Sequence, residues 1–173
     1  MARIIYKKGL EGQNRLECIE GIEIELLNGQ KALIYPKYSK EVMLPGNNIA
    51  SWKAKGVNEI DALKKKDNQW ATGALLKCGS PAAEYVSNFR SDKHGIFGLP
   101  TLLAAMEIQD QKFDIDALAI TIKGTDLLSN FTSIVWSCSR SSRISGFLAS
   151  GNGGCSLDDG LYYPYLVVPV FLY

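Results

Sequence analysis

No stretch of this chain approaches the roughly 18 consecutive apolar residues that a membrane-spanning helix requires. The first residues, Met1 to Tyr6, hold no apolar block of signal-peptide length. The expectation is a protein made in the cytosol that stays soluble, with no membrane insertion. An excess of one charge sign is missing too. Lys and Arg total 19 against 18 for Asp and Glu, a net charge of +1, which leaves no electrostatic footprint for nucleic acid or an anionic membrane. The basic run Lys64 to Lys66 lies between Asp61 and Asp67 and reads as a solvated helix end. Histidine is nearly absent. His94 stands alone in the turn SDKHGIFG, and no nucleophile elbow occurs. A Ser/His/Asp or Cys/His machine would have to use that residue, and a surface-turn histidine is the simpler account.

The four cysteines, Cys18, Cys78, Cys138 and Cys155, form no CxxC pair, which argues against a zinc ribbon. Without a secretion signal the default is reduced thiols, buried as small hydrophobes. Cys138 and Cys155 flank a loop-rich segment and are the pair placed to bridge in an oxidising compartment. A calcium-dependent sugar site needs several converging oxygens, yet no Glu-Pro-Asn, Gln-Pro-Asp or Trp-Asn-Asp run is present. Asn152, Asp158 and Asp159 share one stretch, but they read first as turn residues. Asp110, Asp114 and Asp116 fall around a helix junction, where capping and solvation account for them. The expectation is no metal, no cofactor, no catalytic residue and no enzyme activity.

What is present describes an ordinary folded domain. An apolar fraction of 46% and a charged fraction of 21% over 173 residues suit one globular unit. Such a chain buries roughly 70% of the surface exposed when unfolded. Between Arg15 and Tyr38, Leu16, Cys18, Ile22, Ile24 and Leu26 alternate with Glu17, Glu23 and Glu25. Asn28-Gly29 then signals a tight turn, and Ala32 to Tyr35 answers as a second strand, so Ile22 to Tyr35 is a hairpin. Residues 39 to 70 read as a long excursion with one short helix around Val57 to Lys65.

The middle is helical, about 80 to 124. Ser80-Pro81-Ala82-Ala83-Glu84 is a helix start with Ser80 as N-cap and Pro81 in the first position. Leu99-Pro100-Thr101 opens a second helix, and a third short one, Asp114 to Ile122, ends at Gly124. From about 125 to 173, short strands alternate with long loops, and Tyr165 to Tyr173 closes the chain as a strand whose Pro169 must face an edge or bulge. Strands, then two principal helices, then loop-rich strands make an α+β domain. Its first hairpin and last strand need each other, and Ile22, Ile24, Leu33, Leu166, Val168 and Val170 are expected to share one core. Trp136 is expected in the core as the anchor from which the loops depart.

Four landmarks in this order carry a resemblance: WATGALLKCGSPAAEYVSNF (Trp70 to Phe89), GLPTLLAAMEI (Gly98 to Ile108), VWSCS (Val135 to Ser139) and YLVVPV (Tyr165 to Val170). Together they are similar to the C-type-lectin-like domains of gut bacteria and their phages, over roughly residues 20 to 173. Thr101 stands where that family usually has Ser, Cys138 replaces a Ser, and Val168 replaces a common Arg. The last change removes a charge that would lie beside the loops. The resemblance implies a C-type-lectin-like fold, and relatives of that fold comprise carbohydrate or protein binders, formylglycine-generating oxidases and the hypervariable receptor-binding proteins of diversity-generating retroelements. Fold alone does not choose among them. The contexts WSCSR and GGCSL do not look like the oxidase branch.

The tail adds a compositional absence. From Ser137 to Tyr173 there is no Lys, Glu, Gln, Met or Trp, whereas those types make up one residue in four of the first 136. They are the types that pyrimidine-ending codons cannot encode, so adenine-directed mutagenesis of AAC and AAT codons never produces them. Strand and loop composition already disfavours Lys and Glu, and the absence is a hint. Tyrosines amid Ser, Gly, Asn and Arg supply the mix that binding loops use. The expected function is a ligand-binding or display module, a phage or prophage receptor-binding protein of cytoplasmic origin or virion association. Its partner would be a cell-surface protein or glycan, with an oligomer left open. Arg140, Ser142, Arg143, Phe147, Asn152, Asp158, Tyr162, Tyr163 and Tyr165 are the candidate ligand-binding residues. The alternative is an intracellular or virion assembly protein of the same fold with its loops merely packed.

Overall fold

The computed structural model describes residues 1–37, 68–77, 79–123, 134–140, 145–150, 156–160 and 165–173. Its architecture is mixed α+β with small antiparallel sheets. Strand β1 is Arg3–Tyr6, β2 Ile19–Glu25 and β3 Lys31–Ile34, and a strand near the chain's end, Val170–Leu172, completes a four-stranded sheet. The final strand is β9 in chain order, and the sheet order is β1-β2-β3-β9. The expected hairpin forms where the turn chemistry asks for it. Gly29 takes φ +80°, the Asn28 side-chain oxygen accepts from the Gln30 N–H at 3.0 Å, and Ile22, Glu23 and Ile24 face Ile34, Leu33 and Ala32.

Strand β9 lies antiparallel to β3 with Ala32 opposite Leu172 and Ile34 opposite Val170, closing the first hairpin with the last strand. Ile22, Ile24, Leu166, Val168 and Val170 do share one core, together with Ile108, Ile115 and Val135. Leu33 is a correction. It is fully buried but outside that cluster, because the strand period of two sends it to the opposite face from Ala32 and Ile34.

Among the described residues four α-helices follow, where two principal ones and a short third are expected over about 80 to 124. Helix α1 is Asn68–Lys77, α2 Pro81–Ser87, α3 Leu102–Asp110 and α4 Lys112–Ile120. The first lies partly in what reads as an excursion. The helix expected around Val57 to Lys65, and the run Lys64 to Lys66, lie outside the described residues. Both N-caps stand where expected: the Ser80 side chain accepts from the Ala83 N–H at 3.3 Å and the Thr101 side chain from Ala104 at 3.2 Å. The last expected helix spans Lys112–Ile120 rather than Asp114 to Ile122. Between α2 and α3 a two-stranded hairpin, β4 (Arg90–Ser91) and β5 (Gly95–Ile96), was not foreseen. Among the described residues no helix is long and apolar enough to cross a membrane.

The Asn68 amide ties three remote segments together. It donates to the carbonyls of Leu99 and Val170, both at 2.8 Å. Thr72, one turn on, accepts from the Leu99 N–H at 2.9 Å. Gly98 exchanges backbone hydrogen bonds with Val170 at a crossing where an added Cβ would lie 2.7 Å from the Thr72 hydroxyl. Only a glycine lets α1, the 97–100 segment and β9 meet this closely.

Candidate functional site

The loop-rich region is built on a second antiparallel sheet, β6 (Ile134–Arg140), β7 (Ser145–Ser150) and β8 (Ser156–Gly160), in that order. Its base is fastened at several points. Trp136, Ser137 and Cys138 are buried. The Trp136 N–H donates to the Leu166 carbonyl at 3.0 Å, Leu166 returns a bond to Ile134 at 2.8 Å, and the Cys138 N–H reaches the Pro100 carbonyl at 2.7 Å. Trp136 packs with Ala71, Leu75, Val86, Leu99, Leu148 and Val167, the core anchor expected for it. The register then shifts between Trp136 and Arg140, and an irregularity of this kind bends and twists a strand.

Of the candidate residues, Arg140 lies at the end of β6 opposite Gly146, and Phe147 of β7 lies opposite Asp158 of β8. Tyr165 is half-buried, its ring edge-on to Trp136 at 5.2 Å between centroids. It stands on the core at the foot of the sheet. Ser142, Arg143, Asn152, Tyr162 and Tyr163 lie outside the described residues, as does Cys155, the cysteine placed to bridge the buried Cys138 only in an oxidising compartment. Asp158 and Asp159 sit in a paired strand, not in a turn as their polarity suggests. Among the described residues no group of three or more His, Cys, Asp or Glu is placed to hold a metal ion. Asp114 sits in the first turn of α4, where a carboxylate complements the helix dipole.

A polar cluster on the outer face of the four-stranded sheet went unread in the sequence. Glu23, with 6% of its surface exposed, takes Arg3 at 2.6 Å and Lys31 at 3.4 Å and accepts a short bond from the Tyr173 hydroxyl. Burial pushes its carboxyl up, but the bonds from Tyr173 and Arg3 and the charges of Arg3 and Lys31 outweigh that, and it lies below the usual carboxylate range. Burial and the bonded carboxylate hold the Tyr173 phenol far above its ordinary range.

The ring of His94 stacks on Tyr173 at 4.2 Å and lies 5.5 Å from Phe171. Its Nε2 is buried without a hydrogen-bond partner among the described residues. Burial first, and Lys93 second, hold this imidazole below its ordinary value against the pull of Glu20 and Glu23. His94 does lie in a turn, as expected, but its ring is half-buried and seated on the sheet rather than at the surface. One signal was visible beforehand: Glu23 is a charge between Ile22 and Ile24 in a buried strand. Its partners come from β1, β3 and the residue after β9 and were not.

No protein-family model, no curated protein and no solved structure matches the chain.

Proposed function

We propose that the chain is a C-type-lectin-like ligand-display module that presents its loop-rich C-terminal region to a protein or glycan on a cell surface, in the manner of a hypervariable phage or prophage receptor-binding protein. The observation that carries this reading is the way β6 is held. Its first half is buried and bonded to the segments 97–100 and 165–167, and the sequence rich in Arg, Tyr, Ser and Gly follows it along the chain. A fixed base with polar and aromatic segments beyond it lets side chains change without disturbing the core, and Tyr and Arg are enriched in binding hot spots. The missing residue types of the tail agree with pyrimidine-ending codons at the varied positions.

The test is the combined variant Arg140→Ser, Arg143→Ser, Tyr162→Ser and Tyr163→Ser. Exposed substitutions stay within about 0.5 kcal/mol each, so its urea midpoint should stay close to that of the wild type. Binding of the wild-type chain to intact bacterial cells or to a glycan array should be lost in the variant. If the variant fails to fold, these side chains belong to the core and the display reading fails. If it folds and binds unchanged, the surface lies elsewhere.

A further inference from the structure

We infer that the β4–β5 hairpin is an acid-released flap, in which proton uptake by the seated His94 ring lifts residues 90 to 96 off the outer face of the four-stranded sheet. Besides the ion pair of Asp92 with Lys7 at 3.3 Å, two fastenings hold the hairpin down. At one, the buried Glu20 carboxylate of β2 accepts from the Ser91 hydroxyl at 2.5 Å and from the Asp92 N–H at 2.8 Å, and Ser91 in turn accepts from the His94 N–H at 3.0 Å. At the other, the His94 ring lies on Tyr173 and near Phe171 of the β9 segment. Gly95, at φ +110°, brings the turn down until an added Cβ would touch the Phe171 ring at 4.0 Å.

The second fastening is the one a proton disturbs. Among the described residues no acceptor meets the buried Nε2 atom, so the imidazolium would carry an unsatisfied N–H and a poorly solvated charge. The groups around it offer limited relief. From β2, Glu20 is engaged by Ser91 and Asp92, and Glu23 by Arg3 of β1, Lys31 of β3 and Tyr173. On the hairpin itself, Lys93 opposes a second positive charge. Asp92 is turned to Lys7 at 3.3 Å. Water and acceptors therefore reach the charged Nε2 more readily once the hairpin opens. The depressed imidazole agrees with this geometry. The open form takes up its proton near the ordinary histidine value while the closed form does not, so acidification favours opening. This flap stands apart from the display reading and does not depend on it.

Backbone hydrogen exchange on the full chain tests it. The amides of Asp92, His94 and Phe97, bonded to Glu20, Ser91 and Phe89, report the hairpin, and those of Ile24 and Leu33 the sheet beneath. Between about pH 7.5 and about pH 5, after correction for intrinsic exchange, hairpin protection should fall several-fold. The limit is about thirtyfold, set by an open-state imidazole near 6.5. Sheet protection should hold. His94→Phe keeps a flat ring on Tyr173 without a titrating group and should abolish the pH dependence, and His94→Gln should do the same if the phenylalanine variant folds poorly. An imidazole that titrates at or above about 6.5 in the folded chain would overturn the inference, since the charged ring would then be stabilised in place. So would an unchanged pH dependence in the folded variants.

Discussion

At the scale of single residues, burial sets the terms on which charges survive. Glu23 sits between Ile22 and Ile24, and the two-residue period that sends those side chains to the core sends Glu23 to the other face. A buried carboxylate is costly unless it is paired and hydrogen-bonded, and here Arg3, Lys31 and Tyr173 do both. Because its carboxyl holds a proton less tightly when folded than when unfolded, Glu23 contributes stability above the ordinary carboxylate value of about 4.3. That contribution is lost as pH falls through the lower folded value. Urea denaturation of wild type and Glu23→Gln across this acid range should show a shallower loss in the variant. A slope equal to that of the wild type would assign the acid sensitivity to other carboxylates.

At the scale of elements, the parts that form by local rules are the parts a reader of the sequence can place. Ser80 and Thr101 cap their helices through their own side chains, and Asn28-Gly29 closes its hairpin through bonds within three residues. Thr101→Ala should therefore cost about 1 kcal/mol, within the ~0.5–2 kcal/mol range of such caps, and Thr101→Ser should recover most of it in the same urea titration. A loss near zero would mean that tertiary packing, not the cap, defines the start of α3. Helix α1 was illegible for the opposite reason. Its buried face is made of Asn68, Ala71, Thr72, Ala74 and Leu75, a pattern with little apolar contrast, and its first residue is bonded to positions 31 and 102 residues further along the chain. The hairpin β4–β5, two residues on each side, is too short to carry a period. Leu33 was assigned to the wrong face because both faces of β3 are covered, which makes Ala32-Leu33-Ile34 a continuous apolar run. At the candidate site the buried anchor Trp136 was legible as a large aromatic leading into a polar stretch. The cluster around His94 and Glu23 was not, because its members come from β1, β2, β3, the β4–β5 turn and the β9 segment.

At the scale of the whole molecule, the last strand is structural mortar for elements far earlier in the chain. Val170 pairs with Ile34, exchanges bonds with Gly98 and receives the Asn68 amide. Deleting Val167 to Tyr173 removes all three at once and uncovers Ile22, Ile24 and Ile34. The truncated chain should lose its cooperative thermal transition when followed by circular dichroism. A single sharp transition at a similar temperature would show that the domain closes without β9. The same arrangement has a consequence in time. Roughly 140 residues separate β3 from β9, and at synthesis rates of roughly 5–20 residues per second the apolar hairpin waits roughly 7–30 s for its covering strand. During that interval the edge of β3 is an unpaired template rich in β-branched neighbours. The nascent chain is thus at its most vulnerable to misassociation just before β9 emerges, and folding yield in the cell will depend on how quickly that strand is delivered.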